Sequence, residues 1–182
     1  PSPLKSTLKW VGGKRRIANE VVQFFPEHYG RYFEPFVGGG SVFLAAEPKV
    51  AHLSDVNSGL INYYLQLRDA PSDLMEAATK IENAFNKLTS HESKKKHFYE
   101  NRLEYNNSNR LGVEAAAIFL YLNKTAFNGL YRENAKGEFN VPFNNKDTLS
   151  LFEIDNFMAN SKRLVNAEID NLSFEKAVSS AS

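Results

Sequence analysis

The chain predicts an α/β fold that opens on a βαβ unit, and three observations carry that prediction. A short strand runs directly into three consecutive glycines, a second short strand delivers an acid at its C-terminal end, and helical patterns dominate the remaining residues. In order along the chain, residues 14–25 place Ile17, Val21, Phe24 and Phe25 at i, i+4, i+7 and i+8, an amphipathic helix that Pro26 ends. Residues 31–36 read as a short strand closing at Pro35, and residues 37–40 as a glycine turn in which the three glycines take positive φ. Ser41 then caps a short helix through Glu47, and residues 50–54 form the second strand, ending on Asp55.

Helices come next. Residues 57–68 form one, capped by Asn57 or Ser58, and Leu74, Ala78, Ile81, Phe85 and Leu88 mark another by their spacing. Residues 94–105 form a charged, aromatic third helix, and residues 112–122 are apolar nearly all round and should be buried. Glycines 129 and 137, Asn134 and Pro142 break the pattern, and residues 130–141 read as a β-hairpin with a glycine in its turn. A helix over 151–161, a strand over 163–169 and a short helix over 173–178 complete the chain.

Composition narrows the function classes. With 182 residues, net charge +1, 42% hydrophobic and 24% charged residues, the chain has the make-up of one ordinary globular domain, or of one with a small insertion. No cysteine is present, which excludes disulfides, thiolate metal sites and cysteine catalysis, and makes the cytoplasm the expected compartment. The longest wholly apolar run, 115–122, is far short of a membrane span, and no signal-peptide pattern opens the chain. Pro1 stands where an initiator methionine would, so a processed or engineered start is expected. The near-neutral total hides a gradient. Lys5, Lys9, Lys14, Arg15 and Arg16 face Glu20 alone in the first twenty residues, and Lys124, Arg132, Lys136 and Lys146 face Glu133 and Glu138 further on. A polyanion has a basic face to meet, unless these charges are ordinary solvated surface.

The glycine turn is neither of the common phosphate cradles. Position 43 is Phe, so the Gly-x-Gly-x-x-Gly dinucleotide pattern fails, and Arg15 follows Lys14 where a P-loop needs Ser or Thr. Asp55 lies 21 residues after Glu34, close to the offset at which a carboxylate meets a ribose hydroxyl in βαβ sites. An adenosine-like ligand without phosphates fits both features, and S-adenosylmethionine is the natural candidate. Glu34 would then sit near its ammonium and Lys14 near its carboxylate, with Trp10 or Phe36 offering an aromatic face. A tight turn and a helix cap with no ligand is the competing explanation.

Five motifs then fall in one order: 8–14 (LKWVGGK), 33–41 (FEPFVGGGS), 54–57 (SDVN), 127–132 (FNGLYR) and 137–143 (GEFNVPF). In this order and spacing they resemble the Dam-type DNA adenine-N6 methyltransferases of the D12 class. The resemblance implies an S-adenosylmethionine-dependent, Rossmann-like methyltransferase core with a helical and β-hairpin DNA-recognition insert. The implied boundaries are residues 1–70 for the cofactor part of the core, 71–146 for target recognition and 147–182 for the return to the core. It implies methyl transfer to N6 of an extruded adenine in a short GATC-like duplex sequence. Trp10, Lys14, Glu34, Phe36, Gly38, Gly39 and Asp55 would hold the cofactor. Phe127 and Asn128 would wedge near the flipped base, and Leu130, Arg132, Asn140 and Pro142 would meet neighbouring DNA. Read without the resemblance, Phe127 is a core aromatic and Arg132 a solvated hairpin charge. Lys94, Lys95 and Lys96 could touch the DNA backbone, though a solvated helix face suits them better. Double-stranded DNA is the expected partner, a cognate restriction endonuclease is one the resemblance allows, a monomer on DNA is expected, and neither a metal nor a membrane is involved.

Two departures qualify the resemblance. The family's catalytic Asp-Pro-Pro-Tyr is absent from these residues, so no catalytic residue is assigned. The core is expected to be incomplete, the stretch to be the N-terminal part of an enzyme, and the chain to bind without catalysing. Residues 144–146 (NNK) also replace the family's usual Gly-Arg-Tyr, which puts one DNA contact in doubt. Two other classes stay open: a non-catalytic relative that binds DNA or cofactor as a regulatory or split subunit, and a nucleotide-binding enzyme such as a dehydrogenase.

Overall fold

A computed structural model describes residues 4–181. Pro1, where a processed or engineered start is expected, lies outside the described residues. The architecture is mixed α/β, built on a parallel three-stranded sheet with β2 (Ala51–Asp55) between β1 (Tyr32–Glu34) and β3 (Ala167–Asn171). Tyr32 pairs with Ala51 and Glu34 with Leu53, while Ala51 pairs with Ala167 and Leu53 with Ile169. This register aligns the buried side chains Tyr32, Glu34, Ala51, Leu53, Ala167 and Ile169 on one face. The other face carries Phe33 edge-on to His52, and His52 in turn meets Asp170 at 2.9 Å. All three strands run the same way, so their C-terminal ends lie along one edge, the edge at which open α/β sheets bind ligands.

The helices follow the predicted spacing wherever the apolar stripe is continuous. Helix α3 (Ser58–Asp69) is capped by Asn57, whose side chain accepts from the Leu60 N–H at 2.9 Å. Helices α4 (Pro71–Asn86) and α5 (His91–Asn107) bury Leu74, Ala78 and Phe85, and Phe98 and Tyr105, respectively. Helix α6 (Gly112–Thr125) is buried on every side and packs against α3, α4 and α5, so the helical region and the sheet share one core. Helix α7 (Ile154–Leu164) returns the chain to β3, and α8 (Phe174–Ser179) follows the strand.

Four local expectations are corrected. Residues 14–25 are not one helix: a 3-10 turn (Lys14–Arg16) and the short α1 (Ala18–Val22) meet at Ile17, whose φ of −112° and ψ of 0° break the helical path. Ile17 and Phe24 are exposed, and Ala18 is buried in their stead. Ser41 is the first residue of α2 (Ser41–Ala46) rather than its cap, because left-handed Gly40 occupies the cap position and no side chain bonds there. Gly38 and Gly40 have positive φ, whereas Gly39 does not. The hairpin is only two isolated antiparallel bridges, Ala126 with Phe143 and Glu133 with Phe139, closed by Gly137 at φ 76°. Among the described residues no helix is long and apolar enough to cross a membrane.

Candidate functional site

The sheet brings two acids to one cavity at the same edge: Glu34 ends β1 opposite Leu53, and Asp55 ends β2 two residues further on. Between them the chain makes the glycine turn, tied down on both flanks. The Val37 N–H donates to the Ser54 carbonyl at 3.0 Å, and the Gly40 N–H closes on the Val37 carbonyl at 2.7 Å. From α3, the Tyr64 hydroxyl donates to the Gly38 carbonyl at 2.7 Å. Gly38 has φ +47° and lies so close to the Trp10 indole that a Cβ there would sit 2.8 Å from its Cδ1. Only glycine meets both conditions.

Six of the seven residues assigned to the cofactor surround one cavity of about 220 Å³: Trp10, Lys14, Glu34, Phe36, Gly38 and Asp55. Gly39 stands behind it, its Cα facing the Trp10 Cβ and the Ser6 hydroxyl. The Asp55 carboxylate is fixed by backbone donors, Gly38 N–H at 3.2 Å on one oxygen and Asn57 N–H at 3.0 Å on the other. A carboxylate has about four acceptor positions, so capacity remains for a diol. Glu34 is 9% exposed and accepts from the Tyr32 hydroxyl at 2.7 Å. Burial pushes its carboxyl up to about 7, against the Tyr32 hydrogen bond and the charge of Lys14, which both pull it down. A cation entering the cavity would meet a carboxylate poised to ionise.

The two aromatic assignments differ in what they offer. Trp10 is half-buried and stacks on Tyr131 at 5.8 Å and on Phe119 at 6.3 Å, so much of its ring is already committed to the core. Phe36 is exposed and stacks on Phe174, 5.2 Å away with planes 15° apart. Phe174, which opens α8 just after β3, was not singled out in the sequence. A short helix following a strand whose end aligns with Asp55 is the pattern that would have pointed to it.

The downstream assignments lie on the hairpin and its base. Phe127 is 49% exposed rather than a core aromatic, and its N–H donates to the carbonyl of exposed Pro142 at 2.9 Å. Exposed Asn128 is left-handed, φ 54°, which turns the chain sharply after Phe127. Arg132 and Asn140 meet each other across the hairpin, Arg132 Nε donating to Asn140 Oδ1 at 2.8 Å. Leu130 differs, being half-buried against the core. Lys94 also has a structural task, since it donates to the Asp147 carbonyl at 2.6 Å, while Lys95 and Lys96 stay exposed.

The cavity and hairpin are joined through residues 9 and 10. Asn123 on α6 grips the Lys9 backbone twice, accepting from its N–H at 2.9 Å and donating to its carbonyl at 2.6 Å. Trp10 then reaches from the glycine turn to Tyr131 of the hairpin. Nearby, burial pushes the Lys124 ammonium down to about 8, with Lys9 and Lys146 adding repulsion. Among the described residues, none of these three lysines has a carboxylate within ion-pair distance. Lys124 is legible in the sequence only as part of a charge excess.

Comparison with known proteins assigns the chain. Residues 10–181 match the model of the D12 class N6 adenine-specific DNA methyltransferase family. The type II methyltransferase M1.LlaDCHI of Lactococcus lactis subsp. cremoris is 37% identical over 98% of this chain and 62% of its own length. The type II methyltransferase M.MjaIII of Methanocaldococcus jannaschii is 36% identical over 91% of this chain and 61% of its own. The DNA adenine methylase of Escherichia coli is 36% identical over 76% of this chain and 47% of its own. The chain thus spans between about half and three-fifths of these relatives, and with a family match running through the glycine turn, the hairpin and β3 it belongs to the D12 class N6 adenine-specific DNA methyltransferases.

Proposed function

We propose that this chain holds S-adenosylmethionine and duplex DNA for methylation of adenine N6. The observation that carries the reading is the convergence of Glu34, Asp55, Lys14 and the bare Gly38 backbone on one cavity at the C-terminal edge of the sheet. The donor set suits that cofactor: Asp55 for the ribose hydroxyls, Glu34 for the ammonium, Lys14 for the carboxylate, and the Phe36–Phe174 pair for the adenine ring. When bound, the cofactor supplies an electrophilic methyl group on sulfonium. The glycine turn lets that ligand lie against main chain, where any side chain at Gly38 would collide with Trp10.

On the DNA side, N6 of adenine faces its pairing partner, so the base has to leave the stack at a cost of a few kcal/mol. Phe127 and Asn128, exposed at the base of the hairpin, suit the vacated space, and Arg132 suits a guanine edge. Lys9, Lys124 and Lys146, without a carboxylate partner among the described residues, suit phosphates. A GATC-like target, monomeric action on DNA and a partner endonuclease belong to this proposal, the last by analogy with the relatives named type II methyltransferases.

One observation keeps a second reading. Asp-Pro-Pro-Tyr does not occur in the 182 residues, so the group that draws the N6 lone pair toward the methyl is not supplied by this stretch. A non-catalytic subunit that binds cofactor or DNA is the alternative. Methyl transfer from labelled S-adenosylmethionine to a panel of short duplexes separates the two: incorporation into adenine supports the enzyme, and binding without incorporation by the full-length protein supports the subunit.

A further inference from the structure

The hairpin that carries Arg132, Asn140 and Pro142 has almost no ladder of its own, with one bridge at its base and one near its tip. Its return arm is instead bonded to side chains of α5 and of the loop after that helix. Arg102 donates to the Val141 carbonyl at 3.2 Å. Asn106 makes a reciprocal pair with Phe139, accepting from its N–H at 2.8 Å and donating to its carbonyl at 3.0 Å. Arg110, held at φ 60°, donates to the Gly137 carbonyl and also to the Glu133 carboxylate.

The spacing explains the fit. Residues 102 and 106, one helical step of about 6 Å apart, meet residues 141 and 139, two residues or about 6.6 Å apart where the arm is extended. The two pairs run antiparallel and nearly match, so side chains of α5 stand where a neighbouring strand's backbone would, and Arg110, in the loop past the helix end, continues the row onto the Gly137 turn. A slip of the arm by one residue would turn the buried Phe139 and Val141 outward and break every one of these bonds. Asn106 carries the most information, because its carboxamide matches one residue's N–H and C=O together.

We infer that Arg102, Asn106 and Arg110 are positioning residues that fix the register of the recognition hairpin and thereby its discrimination among DNA sequences. The inference rests on the reading of this hairpin as a DNA-binding element. None of the three need touch DNA. They act through the arm that holds Asn140, which is bonded to Arg132, and that ends at Pro142.

The test uses the full-length protein with two variants, Asn106→Asp, which turns the donor facing the Phe139 carbonyl into an acceptor, and Arg110→Lys, which keeps the charge and loses the fork. Affinities for S-adenosylhomocysteine and for a panel of duplexes differing in four central base pairs are measured, together with amide exchange at Phe139. The expected result is a loss of about tenfold or more in the ratio of best to worst duplex, the scale of one bidentate base contact. Faster exchange at Phe139 should accompany it, with S-adenosylhomocysteine affinity within twofold of wild type. An unchanged ratio in folded variants overturns the inference, as does a loss shared equally by the nucleoside and all duplexes. If Asn106→Asp does not fold, Arg110→Lys decides alone. A wild-type protein that shows no preference among duplexes overturns the functional reading of the hairpin, whereas a preference that survives both variants overturns only the role given to α5.

Discussion

Gly38 and Trp10 are in such close apposition that a methyl group on Gly38 would fall 2.8 Å from the indole Cδ1 and 3.1 Å from its Nε1. Trp10 cannot retreat, because its ring stacks on Tyr131 and Phe119 and the preceding residue is clamped by Asn123. Gly38→Ala therefore combines a left-handed backbone with a collision. The expected outcome is destabilisation of about 1–3 kcal/mol and loss of nucleoside binding, read by thermal melting and calorimetry. A melting temperature and affinity equal to wild type would show that the turn tolerates a side chain.

Glu34 sets a pH dependence with a definite sign. Its carboxyl rises from 4.5 when exposed to about 7 in the fold, so its contribution to stability is fully present below about 4.5 and is lost as pH rises through about 7. Glu34→Gln should remove that loss, gaining on wild type by on the order of 3 kcal/mol between pH 5 and 8 without ligand. Binding runs the other way. A ligand ammonium favours the ionised form, so affinity for S-adenosylmethionine should rise up to about tenfold per unit below pH 7 and flatten above it. Parallel calorimetry of wild type and Glu34→Gln checks this, and a flat wild-type profile would remove Glu34 from the ammonium.

Arg132 and Asn140 are expected to act as one unit. Arg132→Ala should relax sequence preference more than it weakens non-specific binding. With Asn140→Ala, the double variant should fall short of the summed single losses by about 1 kcal/mol, since the residues share a hydrogen bond. Fluorescence anisotropy on cognate and scrambled duplexes provides the cycle. Equal losses on all duplexes would make Arg132 a phosphate contact.

In the helical core the Tyr105 hydroxyl is buried near that of Tyr131, meets no partner in good hydrogen-bond geometry among the described residues, and points at Gly59, where a Cβ would lie 2.0 Å away. Tyr105→Phe should leave stability unchanged or raise it by up to about 1 kcal/mol in urea unfolding, because a poorly satisfied buried hydroxyl is removed. Gly59→Ala should destabilise, and should be partly rescued by Tyr105→Phe. Absence of rescue would place the collision elsewhere.

How legible the molecule is in its sequence depends on whether the cause is local. Asn57 as a cap, the all-round burial of α6 and a strand that delivers Asp55 at its C-terminal end follow from residue type and spacing, and all are present in the structure. The break at Ile17 is not legible, because Val21 and Phe25 do face the core and the pattern counts them correctly while Ile17 and Phe24 point outward. Gly39 reads like its neighbours, yet the turn needs positive φ only at Gly38 and Gly40. Phe174 and the grip of α5 on residues 137–141 are tertiary facts. The first depends on β3 joining β2, and the second on a helix and an arm some thirty residues apart lying antiparallel.

The central claim is that the cavity at the sheet edge is a nucleoside site anchored by Asp55. Titration calorimetry with S-adenosylmethionine and S-adenosylhomocysteine, on the full-length protein and on Asp55→Ala, tests it most directly. Saturable binding of both ligands by wild type and none by the folded variant is the expected result. No heat with wild type, or equal affinity in Asp55→Ala, would contradict it.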